Sequence, residues 1–295
     1  MINKINNKWG YLFALSIIWG SSFILIKKGL IGFSPLQLGS LRIVFSSIII
    51  FTIGFKFIKK IDKNKWKWIA VSGFLGTFFP AFLFAYAETQ IDSAVASILN
   101  SLVPMNTVLI GFAIFKISTT KIQTIGVLIG FIGTISLIIS GSEINPDQNY
   151  LYSGFVLLCT VLYATNVNLI KKYLNDVNAI ALATGHFIII FIPAVFVLIY
   201  SDFFEIDFIS NTIIHESLVY VLILSFFGTA MAKILFNKLI QTSSPVFASS
   251  VTYSMLVVSL FWGIVDGELF SISQALATIL IVLGVYLSNK KKPTK

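Results

Sequence analysis

Apolar residues in this chain come in long runs, not in the short alternations of strands. Ten runs stand out, near 9–30, 35–57, 66–87, 93–115, 121–140, 150–172, 178–200, 217–240, 245–265 and 271–289. Roughly 20 apolar residues carry a helix across a hydrocarbon core of about 30 Å. Each run therefore predicts a membrane-spanning helix, and the fold class is all-α integral membrane with ten transmembrane helices. Connections between runs are short, and the longest covers 201–216. That leaves no room for a separate soluble domain. The first run is too long for a signal peptide, and nine more follow it.

Composition supports this reading. The 295 residues are 57% hydrophobic, 15% aromatic and 11% charged, against about 25% charged in soluble proteins. So few charges cannot cover a water-exposed surface, which excludes a soluble enzyme and a disordered chain. The net charge of +9 lies in short loops, not on one basic face, so nucleic acid is not an expected partner. The lipid bilayer is.

The loop charges predict topology. With both termini on one side, eighteen of the 21 Lys and Arg residues fall on that side. Lys27 and Lys28 fall opposite, read as interface anchors, and Arg42 lies within the second span. Cations accumulate on the cytoplasmic side. Both termini, including the basic tail 290–295, are thus expected in the cytoplasm.

The two halves echo each other. At a shift of 144, Gly10 meets Gly154 and Leu25-Ile26-Lys27-Lys28 meets Leu169-Ile170-Lys171-Lys172. At a shift of 152, Phe74, Gly76 and Thr77 meet Phe226, Gly228 and Thr229, and Leu83-Phe84 meets Leu235-Phe236. Five spans is an odd number, so a duplicated unit must be inverted relative to its copy. The expected organisation is an inverted 5+5 repeat, 1–140 and 150–289. Inverted repeats suit carriers, with a solute site near the membrane midplane. Thr120-Lys121-Ile122-Gln123 and Ser271-Ile272-Ser273-Gln274 fit capping boxes at the starts of the fifth and tenth helices.

Motifs for ATP binding, zinc hydrolysis or serine nucleophiles do not occur. No metal ligand set or cofactor is indicated. Acidic residues lie at span ends or in loops, and Cys159 is the single cysteine.

Polar stripes carry the positive signal. Ser93, Ser97, Asn100, Pro104 and Thr107 share a face of the fourth span; Pro245, Ser249, Thr252, Leu256 and Ser259 are the ninth-span equivalents. Such faces serve either close helix packing or a wet cavity, and Asn100 carries amide groups that need partners. Trp19 and Ser22 share a face of the first span, and Tyr163 and Asn166 stand at the equivalent sixth-span positions. Those aromatics either fill the bundle core or meet an amphipathic solute. Lys233 and Asn237, where the first half has Ala81 and Ala85, suit a carboxylate, although Lys233 could also snorkel to the cytoplasm. Arg42 lies about seven residues, or roughly 10 Å, inside its span, and His186 is its repeat-related mate. They are expected beside opposing gates, unless Arg42 snorkels and His186 is a packed neutral ring. Gly126, Gly130 and Gly133 form a small face for close packing.

Several segments together resemble the ten-span EamA branch of the drug/metabolite transporter superfamily. They are Trp19-Gly20-Ser21-Ser22-Phe23, Phe33-Ser34-Pro35-Leu36 with Leu41-Arg42, the run Ser93 to Pro104, and Val251 to Glu268. The resemblance covers essentially the whole chain. It implies a secondary carrier for small metabolites, often amino acids or related compounds and commonly outward, in the cytoplasmic membrane. It also implies a cavity built mainly by the third, fourth, eighth and ninth spans, with Trp19, Asn100, Pro104 and Tyr253 as site positions. Leu256 replaces the Pro often found in the ninth span, which removes the reason for a kink there. Lys116 replaces the Glu that would match Glu268.

The expected substrate cavity thus comprises Trp19, Ser22, Ser97, Asn100, Tyr163, Asn166, Lys233, Asn237, Thr252 and Tyr253, with Arg42, Pro104 and His186 as gate or hinge. Proton coupling would fall to His186, a lysine or Glu88; a facilitator needs none. The rival reading is a membrane-embedded enzyme or assembly factor.

Overall fold

A computed structural model describes the backbone of residues 2–115, 121–144, 147–206 and 211–288. These residues are helical apart from turns and connections, with no strand among them. The order begins with α1 (Ile2–Gly29) and α2 (Pro35–Gly54). Next, α3 (Trp66–Gly73) runs through a π turn, Phe74–Phe78, into α4 (Phe79–Ala87). The chain continues with α5 (Ser93–Asn100), α6 (Val103–Phe115), α7 (Lys121–Ile144), α8 (Ser153–Tyr173) and α9 (Ala179–Tyr200). Then α10 (Thr212–Ile223) passes through a second π segment, Leu224–Met231, into α11 (Ala232–Thr242). The last helices are α12 (Pro245–Ser249), α13 (Val251–Val265) and α14 (Ile272–Ser288).

Among the described residues, eight helical stretches are long and apolar enough to cross a membrane: 8–29, 35–59, 63–87, 93–114, 150–173, 179–200, 212–242 and 245–265. Two shorter apolar helices, Thr124–Ser140 and Ile272–Leu287, occupy the expected fifth and tenth positions.

Local sequence sets the helix ends. Ser34 caps α2: its hydroxyl accepts the Gln37 N–H, the Gln37 side chain accepts the Ser34 N–H, and Pro35 follows at the first turn. This is a capping box joined to a proline that loses no needed donor there. The box at Ser271 and Gln274 forms in the same way before α14. The box expected at Thr120, like the tail 290–295 and Lys116, lies outside the described residues.

Large apolar side chains cover the outside as well as the core, and polar residues are buried beside them. Phe13, Phe131, Phe196, Val257 and Ile272 project outward, while Ser40, Ser47, Thr184 and Asn237 are buried. Hydroxyls on these helices largely satisfy themselves on their own backbone. Ser16 donates to the Leu12 carbonyl and Thr107 to that of Val103. In hydrocarbon, a polar group needs such an internal partner.

The glycine face of α7 packs on α14. A Cβ on Gly284 would lie 2.6 Å from the Gly130 Cα and 2.7 Å from the Gly126 carbonyl oxygen. A Cβ on Gly133 would lie 2.8 Å from the Ile281 nitrogen. Only bare backbone fits there.

Candidate functional site

The two π segments are local consequences of sequence. In an α-helix the Gly76 carbonyl would accept from residue 80, but Pro80 has no N–H. The Phe79 N–H reaches back to Phe74 instead. In the second half, the Ala232 N–H that would serve Gly228 goes to Phe227 and Thr229. Two glycine carbonyls are thereby released from the normal helical pattern. Each receives a side chain from the other half: Lys233 Nζ donates to the Gly76 oxygen and Trp19 Nε1 to the Gly228 oxygen, both at 3.0 Å. The first π turn shifted by 152 falls inside the second. Short π segments of this kind often mark functional sites.

Both line a cavity of about 90 Å³. Its wall is built from repeat-related positions. Gly76 and Gly228, Thr77 and Thr229, Ala81 and Lys233, Phe84 and Phe236, Asn100 and Thr252, and Val103 and Met255 all line it. Each of those pairs is separated by 152 residues. Trp19 with Tyr163, and Ser22 with Asn166, complete the wall at a separation of 144. Arg42 lines it too, and its mate His186 does not.

The polar groups are held by named partners. Arg42 Nε donates to Thr229 Oγ1 at 2.6 Å. Asn166 Oδ1 accepts from Ser72 Oγ at 2.5 Å. Ser22 donates to its own helix at Ile18. Asn100 Oδ1 is buried with no hydrogen-bond partner among the described residues. Aromatic rings frame the space: Trp19 meets Phe236 edge-on with centroids 4.7 Å apart, and Phe84 stacks with Tyr163 at 6.2 Å.

Seven of the ten expected cavity residues, Trp19, Ser22, Asn100, Tyr163, Asn166, Lys233 and Thr252, face this space. Three do not. Ser97 takes a hydroxyl bond from Ser259, joining the fourth and ninth spans. Tyr253 packs against the apolar core. Asn237 is fully buried away from the cavity, its amide atoms without partners among the described residues. The stripe in the fourth span is thus divided, with packing at Ser97 and the cavity at Asn100. His186 is fully buried against Gly73. Pro104 opens α6 after an interruption at Ser101 and Leu102, so the break precedes the proline. The ninth span is interrupted as well, at Ser250, without a proline at Leu256.

Sequence reasoning missed the ion-pair cluster at one end of the bundle. Lys27, read as an interface anchor, pairs with Glu268 at 2.8 Å and Asp266 at 2.9 Å, and Lys28 pairs with Asp266. Gly267 has φ +83°, a left-handed turn that suits glycine. It swings Glu268 onto the start of α5, where the carboxylate accepts the N–H groups of Ser93 and Ala94 at 3.0 and 2.9 Å. A carboxylate is favoured at that positive helix end. Burial opposes ionisation of Asp266, but Lys28 and Lys27 outweigh it and hold its carboxyl below the usual range. Nearby, Glu88 lines a separate recess of about 310 Å³ with Lys27, Asp92 and Gln148. Glu88 is 7% exposed, and neither carboxyl oxygen has a partner among the described residues. At the opposite end, Lys65 pairs with Asp176 at 2.7 Å and Trp68 stacks on Tyr173.

An apolar-surfaced helical bundle around a cavity that mixes aromatic and polar side chains fits a multi-pass membrane protein of transporter type. The EamA-like transporter family model matches residues 8–139 and again 151–290, and the chain belongs to that family. It is 26% identical to the uncharacterized inner membrane transporter YedA of Escherichia coli K12, over 96% of this chain and 93% of that one. An uncharacterized transporter of Archaeoglobus fulgidus is 27% identical, over 92% of this chain and 82% of its own. Transporter YoaV of Bacillus subtilis, also uncharacterized, is 23% identical, over 94% and 95%. A protein crystal structure shares the fold with a TM-score of 0.65 over 95% of both chains, at 17% identity.

Proposed function

We propose that the chain is a secondary carrier that moves small amphipathic metabolites, in the class of amino acids and related compounds, outward across the cytoplasmic membrane by alternating access. Its ten helices form an inverted 5+5 repeat, with both termini in the cytoplasm as the lysine distribution predicts. α7 and α14 are the fifth and tenth crossings. The observation that carries this reading is the cavity wall, where eight pairs of lining residues stand at repeat-related positions. Two matches to one family model support the duplication. An inverted repeat lets two equivalent conformations expose one central site to opposite sides.

The cavity volume supports gated access. About 90 Å³ is below the roughly 300 Å³ at the lower end of small-molecule sites, so a metabolite enters only when the walls part. The ion pairs Lys27–Glu268 and Lys65–Asp176 lie at opposite ends of the bundle and would part on opening. Trp19, Ser22, Asn100, Tyr163, Asn166, Lys233 and Thr252 contact the solute, and Arg42 orients Thr229 at the wall. Coupling to protons and a facilitator mechanism both fit this arrangement.

Counterflow in proteoliposomes tests the reading. Labelled solute should exchange across the bilayer chemically unchanged, and Arg42→Ala should reduce exchange while insertion persists. Failure to exchange any member of a broad metabolite panel, or chemical modification of one, overturns it.

A further inference from the structure

We infer that the preferred solute is an organic acid, with an anionic group, no cationic group and an apolar body. This rests on the carrier reading and selects, among amphipathic metabolites, acids without an amine over amino acids. Two basic side chains, Arg42 and Lys233, line the cavity, and no carboxylate side chain does. Glu88 belongs to the separate recess. Lys233 is 5% exposed and donates to the Gly76 carbonyl, one use of its three donors. Arg42 donates through Nε to Thr229, one use of its five. Neither forms an ion pair among the described residues.

Arg42 is bonded to Thr229 and Lys233 to the Gly76 carbonyl, and both side chains line the same cavity wall. The anionic group of the guest is placed against these two. Neither basic group meets a carboxylate within the cavity wall, so a guest that supplies an anion is favoured over a guest that adds a cation. An ammonium would find hydroxyls and amides here but no carboxylate. The apolar part of the guest meets the rings of Trp19, Phe84, Tyr163 and Phe236. The asymmetry at Ala81 and Lys233 gives the wall its charge in one half only.

The test uses the purified full chain in nanodiscs and three probes on one skeleton: 3-phenylpropionate, phenylalanine and 2-phenylethylamine. Thermal stabilisation at matched ionic strength should be largest for the acid, smaller for the zwitterion and absent for the amine. Lys233→Met should weaken the acid's apparent affinity roughly tenfold or more, since a charge-assisted hydrogen bond is lost. Lys233→Arg should retain most of that affinity, which separates loss of charge from a folding defect. An amine or zwitterion that stabilises as well as the acid, no stabilisation by the acid, or full affinity in Lys233→Met overturns the inference. Counterflow separates it from the carrier reading. Exchange of the amine in preference to the acid sinks the anion inference and leaves the carrier intact; an acid that binds but never exchanges does the reverse.

Discussion

The Lys233 ammonium donates to the Gly76 carbonyl at 3.0 Å, across 157 residues of chain. The contact exists because Pro80 withholds the N–H that would otherwise take that carbonyl. Gly76 also leaves room for the side chains around it. A Cβ there would lie 2.2 Å from Asn166 Nδ2 and 2.9 Å from Lys233 Nζ. Gly76→Ala should therefore cut exchange roughly tenfold or more by displacing both groups, although alanine favours helix by about 1 kcal/mol over glycine. Counterflow alongside a membrane-insertion assay checks this. Normal exchange in the variant would show that the crowding is relieved elsewhere.

Glu268 joins three elements through Lys27, Ser93 and Ala94. Its side chain is 2% exposed while that of Lys27 is 32% exposed, so solvent weakens the ion pair more than the backbone bonds. Glu268→Gln should destabilise the fold by about 1.5–3 kcal/mol, the range for hydrogen bonds to a charged group. A thermal scan reads the loss. A melting temperature equal to wild type would show that the cluster contributes little.

Burial, reinforced by Glu268 and only partly offset by Lys27 and Arg42, pushes the Glu88 carboxyl well above the usual carboxylate range. Between its unfolded and folded values the native state binds more protons than the unfolded chain. Stability therefore falls as pH rises through that window, starting at the ordinary carboxylate range. Glu88→Gln should match wild type near about pH 4 and exceed it in melting temperature near about pH 8. Parallel melting curves at the two pH values would refute the assignment.

α7 and α14 meet backbone to backbone at Gly130 and Gly284. Gly284→Leu should force them apart and lower the melting temperature sharply, whereas Gly154→Leu, at a glycine with nothing within 4 Å of its Cβ position, should change it little. Comparable losses in both variants would deny the glycine contact its role.

Much of this was readable in the residues. The apolar runs located every helix that bears on the cavity, and the 144 and 152 offsets brought Trp19, Tyr163, Asn100 and Thr252 together before any coordinates. A hydroxyl stripe gave no way to separate Ser97, which bonds to another helix, from Asn100, which faces the cavity. Both occupy one helical face, and what separates them is a partner on another helix, Ser259 of α13 at Ser97. The Lys27–Glu268 pair spans 241 residues, and no local pattern reports such a distance. Glu88 stands at the end of the third span, and nothing in the local sequence reports that neighbouring elements bury it. Pro80 was a legible signal for the first π turn: a proline deep in an apolar run always strands a carbonyl.

The glycine seam between α7 and α14 has a consequence for how this scaffold can diversify. Among the described residues neither helix contributes a side chain to the cavity wall. Changes at cavity-wall positions such as 81 or 100 leave this seam untouched, so the wall can vary while the contact between the two helices stays as it is.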